Sequence, residues 1–416
     1  MGKTLDVTKY RSIRNRAFVS GIIVYICAGL IFAWSIFVTP LEEAFGWDRS
    51  QTSNVFTISI ITMSTGCMLG SKIIKKFSSK VAISLGALSM CLGLILSSNI
   101  SSIWGLYICY GVFCGLGAGL AYNATISTIQ RWFPDKVGLV SGALLMCYSM
   151  GSMILSTVSS WLIVTVGWRW TFRLIGIVFG CIIALFAQFI FMPSQEQYDY
   201  IVEDTAGQAE SGRKKVVVQE EPGIEVDMKG MFKRKSWWLY FTWCVLVTAV
   251  GLGGIGHAAT ISYEISDSLV MATFVTSMVS ICNGVGRLIF GAVYDRVARR
   301  KVMRFINCIY IAAPLIICAA MLTHSVPLVI LGCPLIGFAY GGTAITNSLI
   351  IRKFYGNKYY AENFGVLNFS GALSAFIGPS VVGLIQVSTG TYATVMMYFV
   401  ALAVVSFVIQ HFIKRA

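Results

Sequence analysis

Long apolar runs alternate with short polar breaks along almost the whole chain. They fall near 17–38, 52–73, 81–99, 103–128, 139–162 and 170–192, and resume near 236–259, 270–293, 302–322, 326–350, 365–388 and 391–413. Each is close to the ~20 residues that an α-helix needs to cross the hydrocarbon core of a bilayer. The pattern predicts an all-α membrane protein of twelve transmembrane helices. They form two six-helix halves, 1–192 and 236–416, joined by a polar linker at 193–235. The first run lacks a small-residue cleavage site and reads as a span, not as a removable signal peptide.

Composition supports the pattern. The chain has 416 residues, 56% of them hydrophobic and only 12% charged, with a mean hydropathy of +0.75. Soluble domains average about 25% charged residues, so too few charges are present to solvate a globular surface. Disordered, fibrous, disulfide-rich secreted and ordinary cytosolic classes are excluded together. The lipid bilayer is thus the chain's first partner.

A net charge of +14 would suggest nucleic acid in a soluble protein. Here its placement gives another reading. Of the 32 Lys and Arg, 28 lie at the N-terminus, in alternate loops or at the C-terminus, and only Arg49, Arg169, Arg173 and Arg287 do not. By the positive-inside rule both termini and the 193–235 linker are expected in the cytoplasm, with the protein in the plasma membrane and no nucleic-acid partner. The linker holds nine of the 18 acids, with few apolar residues, and reads as a flexible connector.

The twelve cysteines all fall inside apolar stretches without a C-x-x-C pair. They read as small buried hydrophobes, and neither a metal nor a disulfide is expected. No sequence reads G-x-x-x-x-G-K-[ST], so ATP-driven pumping is not supported. Nor is a nucleophile–base or metal cluster visible, so no enzyme activity and no cofactor are expected.

The two halves repeat. Gly70-Ser-Lys-Ile-Ile-Lys-Lys-Phe-Ser-Ser-Lys80 follows the second run and Gly291-Ala-Val-Tyr-Asp-Arg-Val-Ala-Arg-Arg-Lys301 the eighth. Arg131-Trp-Phe follows the fourth and Arg352-Lys-Phe the tenth. Both pairs are offset by 221 residues. Parallel repeats with a substrate held near mid-membrane are a transporter architecture. Gly111, Gly115 and Gly119, with Gly337 and Gly341, have the small-xxx-small spacing of close helix packing.

Arg287 lies about two-thirds of the way through the eighth run, eight residues before Asp295, or roughly 12 Å from that end by helix rise. Its guanidinium stays charged at biological pH, and an arginine at a helix centre costs about 2.5–3.5 kcal/mol on insertion scales. One reading is a snorkelling side chain. The other is a planar fork that binds a carboxylate through two points. No Lys, Asp, Glu or His lies well inside the spans to partner it. Asn283, one turn earlier on the same face, would orient the guanidinium.

The pattern Gly291-x-x-x-Asp295-Arg296-x-x-Arg299-Arg300 resembles the loop signature of the major facilitator superfamily. In the first half Ile74 stands where the family usually has Asp. Three further segments are similar to the oxalate/formate antiporter and monocarboxylate transporter branch of that family. They are Pro40-Leu-Glu-Glu-Ala-Phe-Gly-Trp-Asp-Arg-Ser50, Arg131-Trp-Phe-Pro-Asp-Lys-Val-Gly138 and Asn283-Gly-Val-Gly-Arg287. The resemblance spans essentially the whole chain and implies that Arg287 is the anion-binding residue. It also implies that Tyr122 and Tyr148 face substrate. A buried phenol needs a partner, which a carboxylate oxygen or a neighbouring helix could supply. Asn123 is adjacent but points elsewhere on its helix. Tyr340, Asn347 and Asn368 extend the set, with helix-to-helix hydrogen bonding as the alternative. Asp295, Arg296 and Arg299 are expected to form an inner gate.

Where the oxalate transporters carry a lysine in the eleventh span, this chain has Gly371, in the segment Asn363-Phe-Gly-Val-Leu-Asn-Phe-Ser-Gly371. One cationic clamp suits a monocarboxylate, and two suit a dicarboxylate. The expected function is a monomeric secondary carrier of small monocarboxylate anions (lactate-, formate- or acetate-like). It would work by alternating access, with a proton or a counter-anion as the coupled species. The alternatives are an oxalate:formate-type dicarboxylate antiporter, a drug/proton antiporter of the same fold, and a sensor signalling through the linker. Drug/proton antiporters of this fold commonly have a glycine-proline motif in the fifth span, and 141–161 contains no proline.

Overall fold

The computed structural model describes residues 7–201 and 224–414. The predicted linker's 202–223 and the cations of the first six and last two residues lie outside the described residues. Among the described residues the secondary structure is helical, with no strand.

In chain order the helices are α1 (Val7–Ala28), α2 (Ser35–Phe45), α3 (Arg49–Lys76), α4 (Ser79–Ser97), α5 (Ile103–Leu106), α6 (Gly115–Trp132) and α7 (Val137–Ala187), then α8 at 195–201. The second series is α9 (Met228–Phe232), α10 (Lys235–Ser266), α11 (Leu269–Tyr294), α12 (Arg299–Thr323), α13 (Val326–Tyr355), α14 (Tyr360–Leu367), α15 (Phe369–Ala375), α16 (Val381–Thr389) and α17 (Tyr392–Phe412). Among the described residues ten helices are long and apolar enough to cross a membrane. One of them, α7, is 51 residues long and contains Gly167 at φ +79°. Only glycine adopts that backbone cheaply, and it divides α7 into two spans at the expected place. The remaining span is the broken series α14–α15–α16, so twelve crossings are accounted for.

The boundaries depart from the apolar runs in physically readable ways. Helix α1 begins at Val7 and α10 continues to Ser266, because polar residues beyond an apolar run can continue a helix. Helix α10 stops where Asp267 turns left-handed at φ 48°, its N–H donating to the Tyr263 carbonyl. Elsewhere the starts carry caps. Asp48 and Gln51 form a capping box on α3, and Ser78, Ser268 and Thr391 accept backbone N–H groups of α4, α11 and α17. The eleventh run, expected to be continuous, is interrupted at Asn368 and passes through a π-turn at Phe376–Ser380. Pro379 has no N–H to donate to the regular ladder there.

The chain divides into two compact units. The first comprises Met1–Val140, Cys147–Glu220 and Phe364–Val366; the second comprises Ser141–Met146, Glu221–Asn363 and Leu367–Ala416. In the first, the Phe37 and Phe172 rings stack 4.3 Å apart in a buried cluster that includes Trp34, Tyr110 and Leu155. Arg169 donates to the Ser98 carbonyl at 3.0 Å, and Arg173 to Ser98 Oγ at 2.9 Å and Asn99 Oδ1 at 2.7 Å. These cations satisfy the C-terminal end of α4, where helix carbonyls lack partners and positive charge is favourable.

In the second unit, α12 and α17 are joined by hydrogen bonds from Asn307 to Gln410 at 2.6 Å and from Ser406 to Asn307 at 2.8 Å. The end of the linker is tied down as well. Val226 N–H donates to the Tyr355 carbonyl at 3.0 Å, and the Glu225 carboxylate accepts from the N–H groups of Asn357 and Lys358 at 3.1 and 2.9 Å.

Both units bring two helices to backbone contact through glycine. A Cβ on Gly119 of α6 would lie 2.0 Å from the Met63 carbonyl oxygen of α3. A Cβ on Gly341 of α13 would lie 2.4 Å from the Asn283 carbonyl oxygen and 2.7 Å from the Arg287 nitrogen of α11. Small residues are what allow helices in lipid to approach this closely. Gly119→Val is therefore expected to cost about 1–3 kcal/mol by overpacking, lowering the thermal unfolding midpoint of the purified protein. Gly256→Ala, where a Cβ meets nothing within 4 Å, should leave the midpoint unchanged. Equal midpoints for the two variants would refute the close-contact account.

Candidate functional site

Arg287 sits on α11 seven residues before its end at Tyr294, and is only 8% exposed. Its Nε donates to Asn283 Oδ1 at 3.2 Å and its Nη1 to the Leu145 carbonyl at 2.6 Å, inside the second unit. Both acceptors are neutral. They orient the guanidinium and share its donors without cancelling its charge. The side chain is held in place instead of extending to the helix end, so the snorkelling geometry is not the one adopted. Gly142 of α7 completes the seat: a Cβ there would fall 2.5 Å from the Arg287 carbonyl oxygen.

Two flanking helices carry the polar groups nearest in sequence register. Tyr340 of α13 precedes Gly341, the residue in contact with the Arg287 turn, and its ring lies against Gly251, where a Cβ would come within 2.4 Å of it. Asn347 accepts from Tyr240 Oη at 2.6 Å and from Cys244 Sγ at 3.2 Å, while Cys244 also lies 3.1 Å from Ser370 Oγ. This buried chain laces α10 to α13 and α15. Asn368 is half-buried at the α14–α15 break, its carbonyl accepting from Gly371 N–H at 3.1 Å. A Cβ on Gly371 would meet nothing within 4 Å, so room for a side chain exists there.

In the first unit Tyr122 and Tyr148 come together. Their ring centroids are 5.1 Å apart, edge to face, and Tyr25 stacks on Tyr122 at 5.3 Å while donating its hydroxyl to the Tyr122 carbonyl at 2.9 Å. Phe32 packs edge-on against Tyr148 at 5.6 Å and Phe364 stacks on Tyr122 at 6.0 Å. The Tyr148 hydroxyl reaches Met63 Sδ at 3.6 Å, a weak acceptor. Asn123 points another way, as its helix position implied: it is fully buried and donates to the Cys67 carbonyl at 2.6 Å.

The expected gate residues lie at the α11–α12 junction. Asp295 is half-buried at the end of α11, Arg296 is exposed, and the Arg299 guanidinium stands 4.2 Å over the Phe354 ring. Sequence reasoning did not single out Tyr25, the Leu145 carbonyl or the Cys244–Ser370 pair. A lone tyrosine within the first apolar run was a usable signal for Tyr25. A backbone carbonyl and a cysteine–serine contact 126 residues apart carry none.

Twelve apolar crossings, with polar groups and the buried cation Arg287 seated within them, describe a multi-pass membrane protein built as transporters are. The sequence profile described as Major Facilitator Superfamily matches residues 18–379 and 242–415, and the chain belongs to that superfamily. The expected loop signature and repeat agree with this membership. Among its relatives is an oxalate:formate antiporter of Oxalobacter formigenes, 23% identical over 395 residues that cover 93% of this chain and 89% of that one. An uncharacterized MFS-type transporter of Escherichia coli, YhjX, is 24% identical over 86% of this chain and 85% of its own. Human monocarboxylate transporter 12 is 23% identical over 87% of this chain and 73% of its own. Solved structures share the fold. The proton:xylose symporter XylE superposes with a TM-score of 0.71 at 14% identity, covering 97% of this chain and 96% of that one. The transporter FucP in its outward conformation gives 0.68 at 15% identity, covering 96% and 99%.

Proposed function

We propose that this transporter carries small monocarboxylate anions of lactate, formate or acetate size, by alternating access, with Arg287 as the anion-binding residue. One observation carries the reading. A guanidinium that cannot discharge is buried within a membrane helix, and its hydrogen bonds to Asn283 and Leu145 are to neutral oxygens. A carboxylate would pair with this guanidinium in the two-point geometry that arginine favours. Tyr122, Tyr148, Tyr340 and Asn368 are proposed to complete the recognition of the anion. Asn123, with its amide committed to Cys67, would stiffen the helix behind Tyr122. Asp295, Arg296 and Arg299 would form the gate. The relatives named for oxalate and formate and for monocarboxylates support the substrate class. Gly371, in place of a second cation, favours monoanions. The cation placement supports cytoplasmic termini in a plasma membrane, with 193–235 as the connector of two six-helix halves in a monomer.

The same charge argument gives the coupling. Binding an anion beside Arg287 brings the site closer to neutral, and a buried charge is less costly when it is paired. The loaded carrier therefore reorients faster, and the cycle runs as exchange of one anion for another. No carboxylate stands well inside the spans to carry a proton.

Three measurements in proteoliposomes test this reading. Arg287→Lys keeps the charge but loses the fork, and uptake of labelled monocarboxylate is expected to fall about tenfold or more, the worth of a charge-assisted hydrogen bond. Wild-type kinetics in that variant would refute the site. Counterflow should exceed net uptake, and equal rates would refute exchange. Finally, a competition panel of mono- and dicarboxylates should favour monoanions in the wild type, and Gly371→Lys should shift the preference toward oxalate. Wild-type preference for oxalate would instead favour the dicarboxylate antiporter.

A further inference from the structure

A small groove lies where α12 begins and α17 ends; it shares Arg299 with the proposed gate and holds none of the proposed anion-binding residues. Arg299, Arg300, Arg304, His411 and Gln410 line it, with Met303 and Ile413 at its base. Three arginines thus line one small groove, and no acidic residue is among its lining. Helix α12 starts at this groove without a side-chain cap, so the positive end of its dipole adds to the local charge.

Gln410 supplies an independent sign of a ligand. It is 94% buried, at 6% exposure, yet its Nε2 has no hydrogen-bond partner. Its orientation is held by a relay: Ser406 donates to Asn307 Oδ1 and Asn307 Nδ2 donates to Gln410 Oε1. The carbonyl end is thereby used, and the amide nitrogen is left as a buried donor on a residue that lines the cationic groove. A buried donor without a partner costs about 1–3 kcal/mol, which an anionic oxygen in the groove would recover.

The surroundings indicate which anion. The same two helices present Phe305, Val408 and Phe412 outward at 57%, 53% and 63% exposure. In a membrane-spanning helix such side chains lie against acyl chains, and the groove sits at the end of that apolar surface. We propose that this groove binds the phosphate of an anionic phospholipid headgroup. Arg300 and Arg304 supply the charge, Gln410 Nε2 donates to a phosphate oxygen, and the acyl chains run along Phe305 and Phe412.

The test uses the full-length purified protein in detergent, titrated separately with phosphatidylglycerol, phosphatidylcholine and inorganic phosphate. Binding is read by native mass spectrometry and by the shift in thermal unfolding midpoint. Phosphatidylglycerol should bind and raise the midpoint, and phosphatidylcholine should do neither. Arg300→Gln and Arg304→Gln, at exposed positions that leave the packing intact, should each weaken phosphatidylglycerol about fivefold, as expected for one arginine near an anionic surface. Gln410→Glu, which replaces the donor with a carboxylate, should abolish the midpoint shift. Unchanged phosphatidylglycerol affinity in the Arg300→Gln/Arg304→Gln double variant would overturn the site. Stabilisation by inorganic phosphate at the same concentration would overturn the lipid assignment in favour of a free anion.

Discussion

A permanent positive charge held inside a membrane helix imposes more on this protein than any other single feature. Arg287 cannot be neutralised by losing its proton, and the surrounding helices offer it neutral oxygens from Asn283 and Leu145. Such a group persists only where packing holds it and function uses it. The turn that carries it is pressed on one side by Gly341 of α13 and on another by Gly142 of α7. Its position is therefore defined by backbone contact, which is stiffer than contact through side chains.

The two units solve the helix-packing problem in the same way. Gly119 against Met63 in the first and Gly341 against Asn283 in the second bring corresponding helix pairs to within carbonyl contact. The repeat visible in the loop motifs is thus also a repeat of packing. What differs is the chemistry placed on it. The first unit surrounds Tyr122 and Tyr148 with the aromatic rings of Tyr25, Phe32 and Phe364. The second carries the arginine and the Tyr240–Asn347–Cys244–Ser370 chain. The first unit is thus aromatic where the second is cationic and hydrogen-bonding.

Much of the site was readable because charge and aromatic character are conspicuous in apolar sequence. Arg287 stood out as the single cation well inside a run, and Asn283 followed from the four-residue helical period. Resemblance to a family singled out Tyr122 and Tyr148 one by one as substrate-facing; that their rings meet is a finding of the structure. Asn123, by contrast, shows the ordinary fate of an amide in a membrane helix: its donor is spent on the Cys67 carbonyl of the neighbouring helix. Nothing local distinguishes that outcome from a ligand-facing one, since both require a polar residue in an apolar run. The interruption of the eleventh span was missed for a related reason. Hydropathy reports that a segment is apolar, and is nearly blind to whether its hydrogen-bond ladder is continuous.

By itself the sequence determined the number of crossings, the repeat, the family and the identity of the buried cation. Each of these follows from composition and spacing along one dimension, which the bilayer turns into structure through the length and polarity it demands. Tertiary structure alone decided that the Leu145 carbonyl holds Arg287, that Tyr25 backs Tyr122, that Cys244 meets Ser370, and that Gln410 lines one groove with three arginines. Those outcomes depend on which helix faces meet and at what register. That choice is made by glycine contacts and hydrogen bonds between residues from about fifty to well over a hundred positions apart, where no local pattern records it.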